Sequence, residues 1–153
     1  MGRDAGFIAL RSGISVGAEA ILIPETETYV DQLIKRLKKG SAHKKTSSII
    51  IVAEGDDSGG AYEIAKKVKE RYQHYDTKVT ILGHVQRGGS PSAADRVLAS
   101  RLGKAAVDAL IEGRKNEMVG IINRKIAYTS FEKAIKHHRE INQGLLSLAE
   151  ILT

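Results

Sequence analysis

The order of apolar and polar positions divides the chain into short strands and amphipathic helices. Six segments place apolar residues at helical spacing, and the runs between them are short and rich in β-branched residues. The predicted helices cover residues 4–15, 29–39, 61–74, 91–112, 130–137 and 142–152. Glycines at 17, 40 and 113 are expected to end the first, second and fourth of them, and Thr28 can cap the second. The predicted strands cover residues 20–23, 48–53, 78–82 and 119–122, with 126–128 as a hairpin partner of the last.

Strands that alternate with helices favour right-handed β–α–β crossovers. We therefore predict an α/β fold of three layers, a Rossmann-like, mostly parallel sheet with flanking helices. The 153 residues suffice for one domain with its own core, which we expect to span residues 1–153. The chain opens on a helix with no strand before it, a hint that sequence is missing upstream.

Composition narrows the class of protein. Hydrophobic residues make up 42% of the chain and aromatic residues only 5%, so the core should be aliphatic. The absence of cysteine excludes disulfides and thiolate metal sites. No apolar run is long enough to cross a bilayer, and no signal peptide is evident, so we expect a cytoplasmic protein.

The formal net charge of +6 allows two kinds of anionic partner. One is a phosphorylated small molecule, and the other is nucleic acid. The low aromatic content argues against base-stacking platforms. Nucleic-acid binding rests on the charge alone and would weaken steeply with salt.

The stretch 83–91 is the strongest candidate for chemistry, with the sequence Gly-His-Val-Gln-Arg-Gly-Gly-Ser-Pro. Its donors are the His84 ring, the Gln86 amide, the Arg87 guanidinium and the backbone N–H groups of two glycines. The closing serine and proline are expected at the N-cap and first position of a helix, whose N-terminus is positive. The stretch predicts a site for a phosphate or phosphorylated sugar, with an ordinary β–α turn as the alternative.

A carboxylate is predicted beside this stretch. Glu54 directly follows the strand predicted at 48–53. Ligands of open α/β sheets bind at the carboxyl ends of the strands, so Glu54 and His84 should lie at the same edge. A carboxylate near several cations suits a molecule with hydroxyls at one end and phosphate at the other, which is a sugar phosphate.

The sequence motifs of several other enzyme classes are absent from the chain. No P-loop and no dinucleotide-binding glycine motif occurs, and the serines at 90 and 92 have no nucleophile-elbow sequence around them. Asp56 and Asp57 could bind a divalent cation, but adjacent loop carboxylates are more often simply solvated. The basic residues between 35 and 45 are better explained as a solvated face and loop than as a polyanion site.

Five motifs occur in an order that resembles the 6-phosphofructokinase family. They are Met1-Gly2-Arg3 followed by Ala5-Gly6, then Val16-Gly17-Ala18-Glu19, then a β-run ending in Glu54, then the stretch 83–91, then Asp95-Arg96. The resemblance extends over essentially the whole chain. It implies the C-terminal, sugar-phosphate-binding half of a two-domain subunit.

The resemblance also implies a fructose 6-phosphate site. The tripeptide 1–3 matches the motif that lies against the sugar and the transferring phosphoryl group. Glu54 matches a carboxylate that holds sugar hydroxyls, His84 a ligand of the 6-phosphate, and Arg87 an arginine near the developing negative charge. The implied substrate-binding residues are Met1, Gly2, Arg3, Glu54, Lys78, His84, Val85, Gln86 and Arg87, and the catalytic residues among them are Arg3 and Arg87.

Lys78 departs from the family pattern. Many relatives carry an arginine there that reaches a 6-phosphate across a subunit interface. Lysine keeps the charge but loses the two-pronged geometry of the guanidinium group.

A second, regulatory site is implied for bacterial relatives, where a nucleoside diphosphate or phosphoenolpyruvate binds between subunits. Gly17, Ala18 and Glu19 match its magnesium-linked segment, and Lys45 matches one of its phosphate-binding cations. His43 stands where those relatives carry lysine or arginine.

The activity implied for the complete enzyme is transfer of the ATP γ-phosphoryl group to the 1-hydroxyl of fructose 6-phosphate in glycolysis. The ATP loop, the Mg²⁺ ligands and the general-base aspartate of the family lie upstream of the matched region. We therefore expect this chain alone to be inactive and to hold no tightly bound cofactor. The expected partners are fructose 6-phosphate, the N-terminal ATP-binding half and further subunits of a homotetramer, with no nucleic acid and no membrane. Two alternatives stay open, a pyrophosphate-dependent enzyme and a non-catalytic sugar-phosphate-binding module.

Overall fold

The computed structural model describes residues 4–43, 45–136 and 140–152. The chain divides into two compact units, unit 1 with Met1–Arg87 and Ile141–Thr153 and unit 2 with Gly88–Glu140. The elements in chain order are α1 Phe7–Ser15, β1 Ala20–Leu22, α2 Val30–Ala42, β2 Ile50–Val52, α3 Ala61–Arg71, a 3₁₀ helix His84–Arg87, α4 Ala93–Ile111, β3 Glu117–Ile122, β4 Lys125–Ser130, α5 Phe131–Lys136 and α6 Gln143–Leu152.

Unit 1 is organised around the parallel pair β1–β2, in which Ala20 lies opposite Ile50. Successive side chains of a strand point to opposite faces, and here both faces are apolar. One face packs with α1 and α6, where Leu10 and Ile23 are almost fully buried. The other face packs with α2 and α3 around Leu37. A ladder of three residue pairs therefore separates two hydrophobic clusters.

Glycine ends two of the helices, as the sequence predicted. Gly17 follows α1 with a φ of +61°, and Gly113 follows α4 with a φ of +78°. Both make the same closing hydrogen bond, to the Ile14 carbonyl at 3.2 Å and the Leu110 carbonyl at 3.0 Å. Gly40, in contrast, was predicted to end the second helix, and this was wrong because α2 continues to Ala42.

Unit 2 consists of α4, the antiparallel hairpin β3–β4 and α5. The hairpin pairs Glu117 with Ser130 and Ile122 with Lys125. Its two-residue turn has positive φ at both positions, which matches the twist of the flanking strands. The Arg114 guanidinium lies 4.3 Å from the centre of the Tyr128 ring of β4.

The α/β class is confirmed, but the extent of the sheet differs from the prediction. Among the described residues, the structure has one two-stranded parallel sheet and one two-stranded antiparallel sheet instead of one mostly parallel sheet. The strand predicted at 78–82 is wrong, because these residues do not form a strand. The segment has the alternation and β-branching of a strand, but it does not pair with β2. Residues 75–80 instead line a cavity of about 480 Å³ together with Ile50 and Val52 of β2.

The helices of the described residues are all too short or too polar to cross a membrane. The chain forms two compact units, and its description as a single domain over residues 1–153 stays a prediction.

Two helical glycines give a matched test of packing in the chain. A Cβ added at Gly13 of α1 would lie 2.5 Å from Ile21 Cγ1, whereas one at Gly103 of α4 would meet nothing within 4 Å. We expect Gly13→Ala to lower the free energy of unfolding by about 1–3 kcal/mol through overpacking. Gly103→Ala should raise it by roughly 0.5–1 kcal/mol, because alanine costs less backbone entropy in a helix.

Urea unfolding of the two variants beside the unsubstituted chain measures both changes. Equal effects of the two substitutions would contradict the packing of α1 against β1.

Candidate functional site

The residues of the glycine-rich stretch form one turn of 3₁₀ helix, His84–Arg87. Side chains three residues apart are eclipsed in a 3₁₀ helix, so His84 and Arg87 project from the same side of this turn. All four residues are exposed, Val85 by 72%. The turn closes with a hydrogen bond of 3.2 Å from the Gln86 N–H to the Gly83 carbonyl. An imidazole and a guanidinium are thus available together at the surface of unit 1.

The start of α4 differs from the prediction, which placed the N-cap at Ser90. The N-cap is Ser92, two residues later. The Ser92 hydroxyl accepts a hydrogen bond of 3.2 Å from the Asp95 N–H, and the Asp95 carboxylate accepts one of 2.8 Å from the Ser92 N–H. This reciprocal pair satisfies two backbone donors, and Ser90 offers no acidic partner three residues later. Asp95 of the Asp95-Arg96 motif is therefore a helix cap in this structure.

Glu54 lies just beyond β2, as predicted. The ladder continues one step past the strands, because the Ala53 N–H donates to the Leu22 carbonyl at 2.9 Å. Glu54 is the next residue and is exposed. Its carboxylate is thus placed at the carboxyl end of the parallel pair, and its proximity to His84 stays a prediction.

The two aspartates after Glu54 connect their loop to the segment before α2. Asp56 is buried, accepts a hydrogen bond of 2.7 Å from the Thr28 hydroxyl and accepts another of 3.1 Å from the Ser58 N–H. Asp57 accepts from the Thr28 N–H at 3.3 Å. Thr28 was predicted to cap the second helix, but its hydroxyl is used by Asp56, and the N-cap is Tyr29.

No group of three His, Asp or Glu residues that could hold a metal ion occurs in the described ranges. The expectation that both loop carboxylates are solvated is wrong for Asp56, which is buried and hydrogen-bonded to Thr28 and Ser58.

The regulatory candidates cluster at the opposite end of the β1–β2 pair. Glu19 is only 6% exposed, and its N–H donates to the Ile49 carbonyl at 2.8 Å. Lys45 Nζ lies 2.6 Å from Glu19 Oε2, with the lysine side chain half exposed. Gly17 and the buried Ala18 form the turn that leads into this acid. The structure therefore joins Glu19 and Lys45, which are 26 positions apart, in one ion pair.

The remaining candidates have less structural support. His43 is the exposed C-cap residue of α2. Lys78 is 87% exposed, and its Nζ is 3.9 Å from the carboxylate of Asp76. Met1, Gly2 and Arg3 lie outside the described residues.

Sequence reasoning missed the hydrogen bonds that hold the start of α1. The Gly6 N–H donates to both carboxylate oxygens of Glu25, at 2.8 and 3.0 Å. A Cβ at Gly6 would lie 2.5 Å from Ile23 Cβ, so only glycine fits there without movement of the backbone. Gly6 and Glu25 are 19 positions apart, so no local sequence pattern predicts their contact. The only available signal was a helix that begins after a glycine and has no polar side chain to cap it.

Comparison with known proteins identifies relatives of this chain. The family profile described as Phosphofructokinase matches residues 1–110. An ATP-dependent 6-phosphofructokinase 2 of Bacteroides thetaiotaomicron is 52% identical over 153 residues, which is 100% of this chain and 47% of that protein. An ATP-dependent 6-phosphofructokinase of Cytophaga hutchinsonii is 57% identical over 152 residues, 99% of this chain and 46% of that protein. The chain thus spans about half the length of these relatives.

Solved structures agree with the sequence matches. The structure of phosphofructokinase from Saccharomyces cerevisiae has a TM-score of 0.77 at 36% identity, over 89% of this chain and 20% of that one. Phosphofructokinase of Pichia pastoris in the T-state has a TM-score of 0.73 at 33% identity, over 89% and 16% of the two chains. The fold and the sequence therefore point to the same group of proteins.

The helix cap after the 3₁₀ turn gives a pH prediction. The Ser92 hydroxyl, with the Ser92 backbone N–H, lowers the pKa of Asp95 below its ordinary value. The cap should therefore contribute its full stability above the unfolded-state pKa, near 4, and lose it as the pH falls through the lower folded-state pKa. We expect Asp95→Asn to destabilise the chain at pH 7 and to matter progressively less below about pH 4.

Thermal unfolding of the chain and of Asp95→Asn between pH 7 and pH 2.5 tests this. Asp76→Asn is the control, because Asp76 is exposed outside any helix. A difference that grows on acidification would contradict the cap.

Proposed function

The chain belongs to the phosphofructokinase family, and from that premise we propose that it supplies the fructose 6-phosphate site of an ATP-dependent 6-phosphofructokinase. The complete enzyme would transfer the γ-phosphoryl group of ATP to the 1-hydroxyl of the sugar. The products are fructose 1,6-bisphosphate and ADP, and the hydroxyl proton is released. ATP is proposed as donor in preference to pyrophosphate because the named bacterial relatives are ATP-dependent enzymes.

The observation that best supports the sugar-phosphate site is the common orientation of His84 and Arg87 on one helical turn. Two donors on one side of a turn can contact one phosphorylated molecule, whereas donors on opposite sides cannot. In the proposed site, His84 binds the 6-phosphate, and Arg87 lies near the negative charge that develops during transfer. Val85 and Gln86 complete the turn.

Glu54 is proposed to accept hydrogen bonds from the sugar hydroxyls. Its exposed position at the carboxyl end of β2 is the place where α/β folds bind their ligands. Met1, Gly2 and Arg3 are proposed to contact the sugar and the transferring phosphoryl group, with Arg3 and Arg87 as catalytic residues. Lys78 is proposed to reach a 6-phosphate of a neighbouring subunit, as a point charge without the arginine fork.

The other half of the relatives' length is proposed to bind ATP and Mg²⁺ and to provide the general base. Unit 2 gives a physical reason to expect a large partner surface. It exposes large apolar side chains on three elements, which isolated soluble domains rarely do in quantity. They include Leu110 at 71%, Ile111 at 80%, Ile122 at 60% and Ile135 at 75%. The proposed partners are the N-terminal half of the subunit and further subunits of a cytoplasmic homotetramer.

The pair of Glu19 and Lys45 is proposed as the core of an effector site, with Gly17, Ala18 and His43 beside it. A half-exposed ammonium next to a buried carboxylate can attract a phosphate and, through the acid, a bound magnesium ion. The ligand would be a nucleoside diphosphate or phosphoenolpyruvate.

Complementation tests the division of labour between the halves. The part of the Bacteroides relative that this chain does not match is produced as a separate polypeptide and mixed with the chain. We expect no kinase activity from this chain alone and measurable fructose 6-phosphate-dependent ADP formation from the mixture. Activity of the chain alone would contradict the proposal, and an inactive mixture in which the chain still binds fructose 6-phosphate would favour a binding module.

Two substitutions in the complete enzyme separate binding from catalysis. His84→Ala removes a hydrogen bond to a charged phosphate and should raise the KM for fructose 6-phosphate roughly 10- to 100-fold with little change in kcat. Arg87→Ala should lower kcat by about 100-fold or more, because its charge acts mainly in the transition state.

Steady-state kinetics over a range of sugar phosphate concentrations gives both constants. Arg11→Ala, which removes an exposed arginine of α1, is the control and should leave them unchanged. Equally small effects of His84→Ala and Arg87→Ala would count against the proposed roles.

A further inference from the structure

Three aromatic residues at and beyond the end of α3 form a cluster that no sequence pattern predicted. Tyr72 and His74 stack with ring centres 5.6 Å apart, and His74 meets Tyr75 edge to face at 4.9 Å. Tyr72 and Tyr75 are also perpendicular, at 6.0 Å. Each ring therefore restricts the orientation of the other two. The residues Tyr72, His74 and Tyr75 are called the aromatic cluster.

The aromatic cluster is attached to the end of α2 at three points. Lys38 Nζ lies 5.7 Å from the centre of the Tyr72 ring, and the Ser41 hydroxyl lies 2.8 Å from His74 Nε2. The Tyr75 hydroxyl donates to the Lys45 carbonyl at 3.1 Å. Positions 38 and 41 share one face of the helix, and the third attachment lies just beyond its end.

Lys45 is consequently held through both its backbone and its side chain. Its N–H donates to the Gly40 carbonyl at 3.1 Å, its carbonyl accepts from Tyr75, and its ammonium pairs with the buried carboxylate of Glu19. A Cβ at Gly40 would lie 3.4 Å from Lys45 Cδ, so the lysine stem packs closely over this glycine. The ammonium keeps one side toward solvent.

The segment that follows Lys45 lies beside a cavity. Residues 46–48 and Tyr75 line the cavity of about 480 Å³ beside β2. The Ser48 hydroxyl is buried without a hydrogen-bond partner in the described part of the chain. The hydrogen bond from Tyr75 is therefore one of two that hold the backbone of Lys45, beside the one to Gly40.

We infer that Tyr75, oriented by His74, is a positioning residue for anion binding at Lys45. This inference rests on the proposed effector site and names the group that sets its affinity. With the Tyr75 bond in place, the ammonium stays beside Glu19 with one face open to a phosphate. Without it, the backbone of Lys45 keeps only its hydrogen bond to Gly40, and part of the binding free energy is spent on ordering the lysine. The ligand class is a small phosphorylated anion.

The test is Tyr75→Phe in the complete enzyme, with ADP and phosphoenolpyruvate as probes. The substitution keeps the ring and removes only the hydroxyl. Calorimetry should show about 2- to 10-fold weaker binding of the probe that the wild-type enzyme binds. The kcat and the KM for fructose 6-phosphate without effector should be unchanged. Tyr62→Phe is the matched control, since Tyr62 is 65% exposed on α3.

Two further variants make the outcome decisive. His74→Gln, which retains a polar partner for Ser41, should bind the probe better than His74→Ala. Lys45→Ala reports on the effector site itself. If Lys45→Ala abolishes binding while Tyr75→Phe equals Tyr62→Phe, the inference is overturned and the effector site stands. If the wild type binds neither probe, or Lys45→Ala binds as the wild type does, the effector site and the inference fall together.

Discussion

The parallel pairing of β1 with β2 is the constraint on which unit 1 depends. Three residue pairs are few for a sheet, and helices pack on both faces of the strands. Ile23, which is fully buried, and Leu37 belong to the two separate clusters that this pair divides. Each cluster requires the ladder as its wall, so a register shift of one residue would exchange the two faces and disturb both.

The same ladder separates the two proposed sites. Glu19 and Lys45 lie at the amino end of the pair, where the Glu19 N–H reaches Ile49. Glu54 follows the carboxyl end, beyond the hydrogen bond of Ala53. The intervening strand pairs span roughly 10 Å at the usual rise per residue. A short parallel ladder therefore connects the proposed effector end with the proposed sugar end, and α1 and α2 both pack on it.

Local patterns predicted the elements well and their assembly less well. The runs around Ile21 and Ile51 gave the two strands of unit 1, and Gly17 and Gly113 gave two helix ends, because these signals act within a few residues. The strand predicted at 78–82 was wrong, since alternation predicts an extended backbone but not the strand with which it pairs. That Glu19 and Lys45 belong to one site was implied only by the resemblance, and their ion pair was not predicted. No sequence pattern predicted the hydrogen bond from Gly6 to Glu25 or the one from Tyr75 to Lys45. The two residues of each bond are 19 and 30 positions apart, respectively.

The cavity beside β2 has a consequence for how the isolated chain behaves at high concentration. A strand next to a cavity offers backbone N–H and C=O groups to any extended peptide that can enter. Natural sheets guard such borders with lysine, proline or a bulge, whereas β2 has the sequence Ile-Ile-Val. Strand addition from a second molecule would satisfy those groups and cover the apolar lining at once. Self-association of the isolated chain would therefore begin at this border, as intermolecular β-structure.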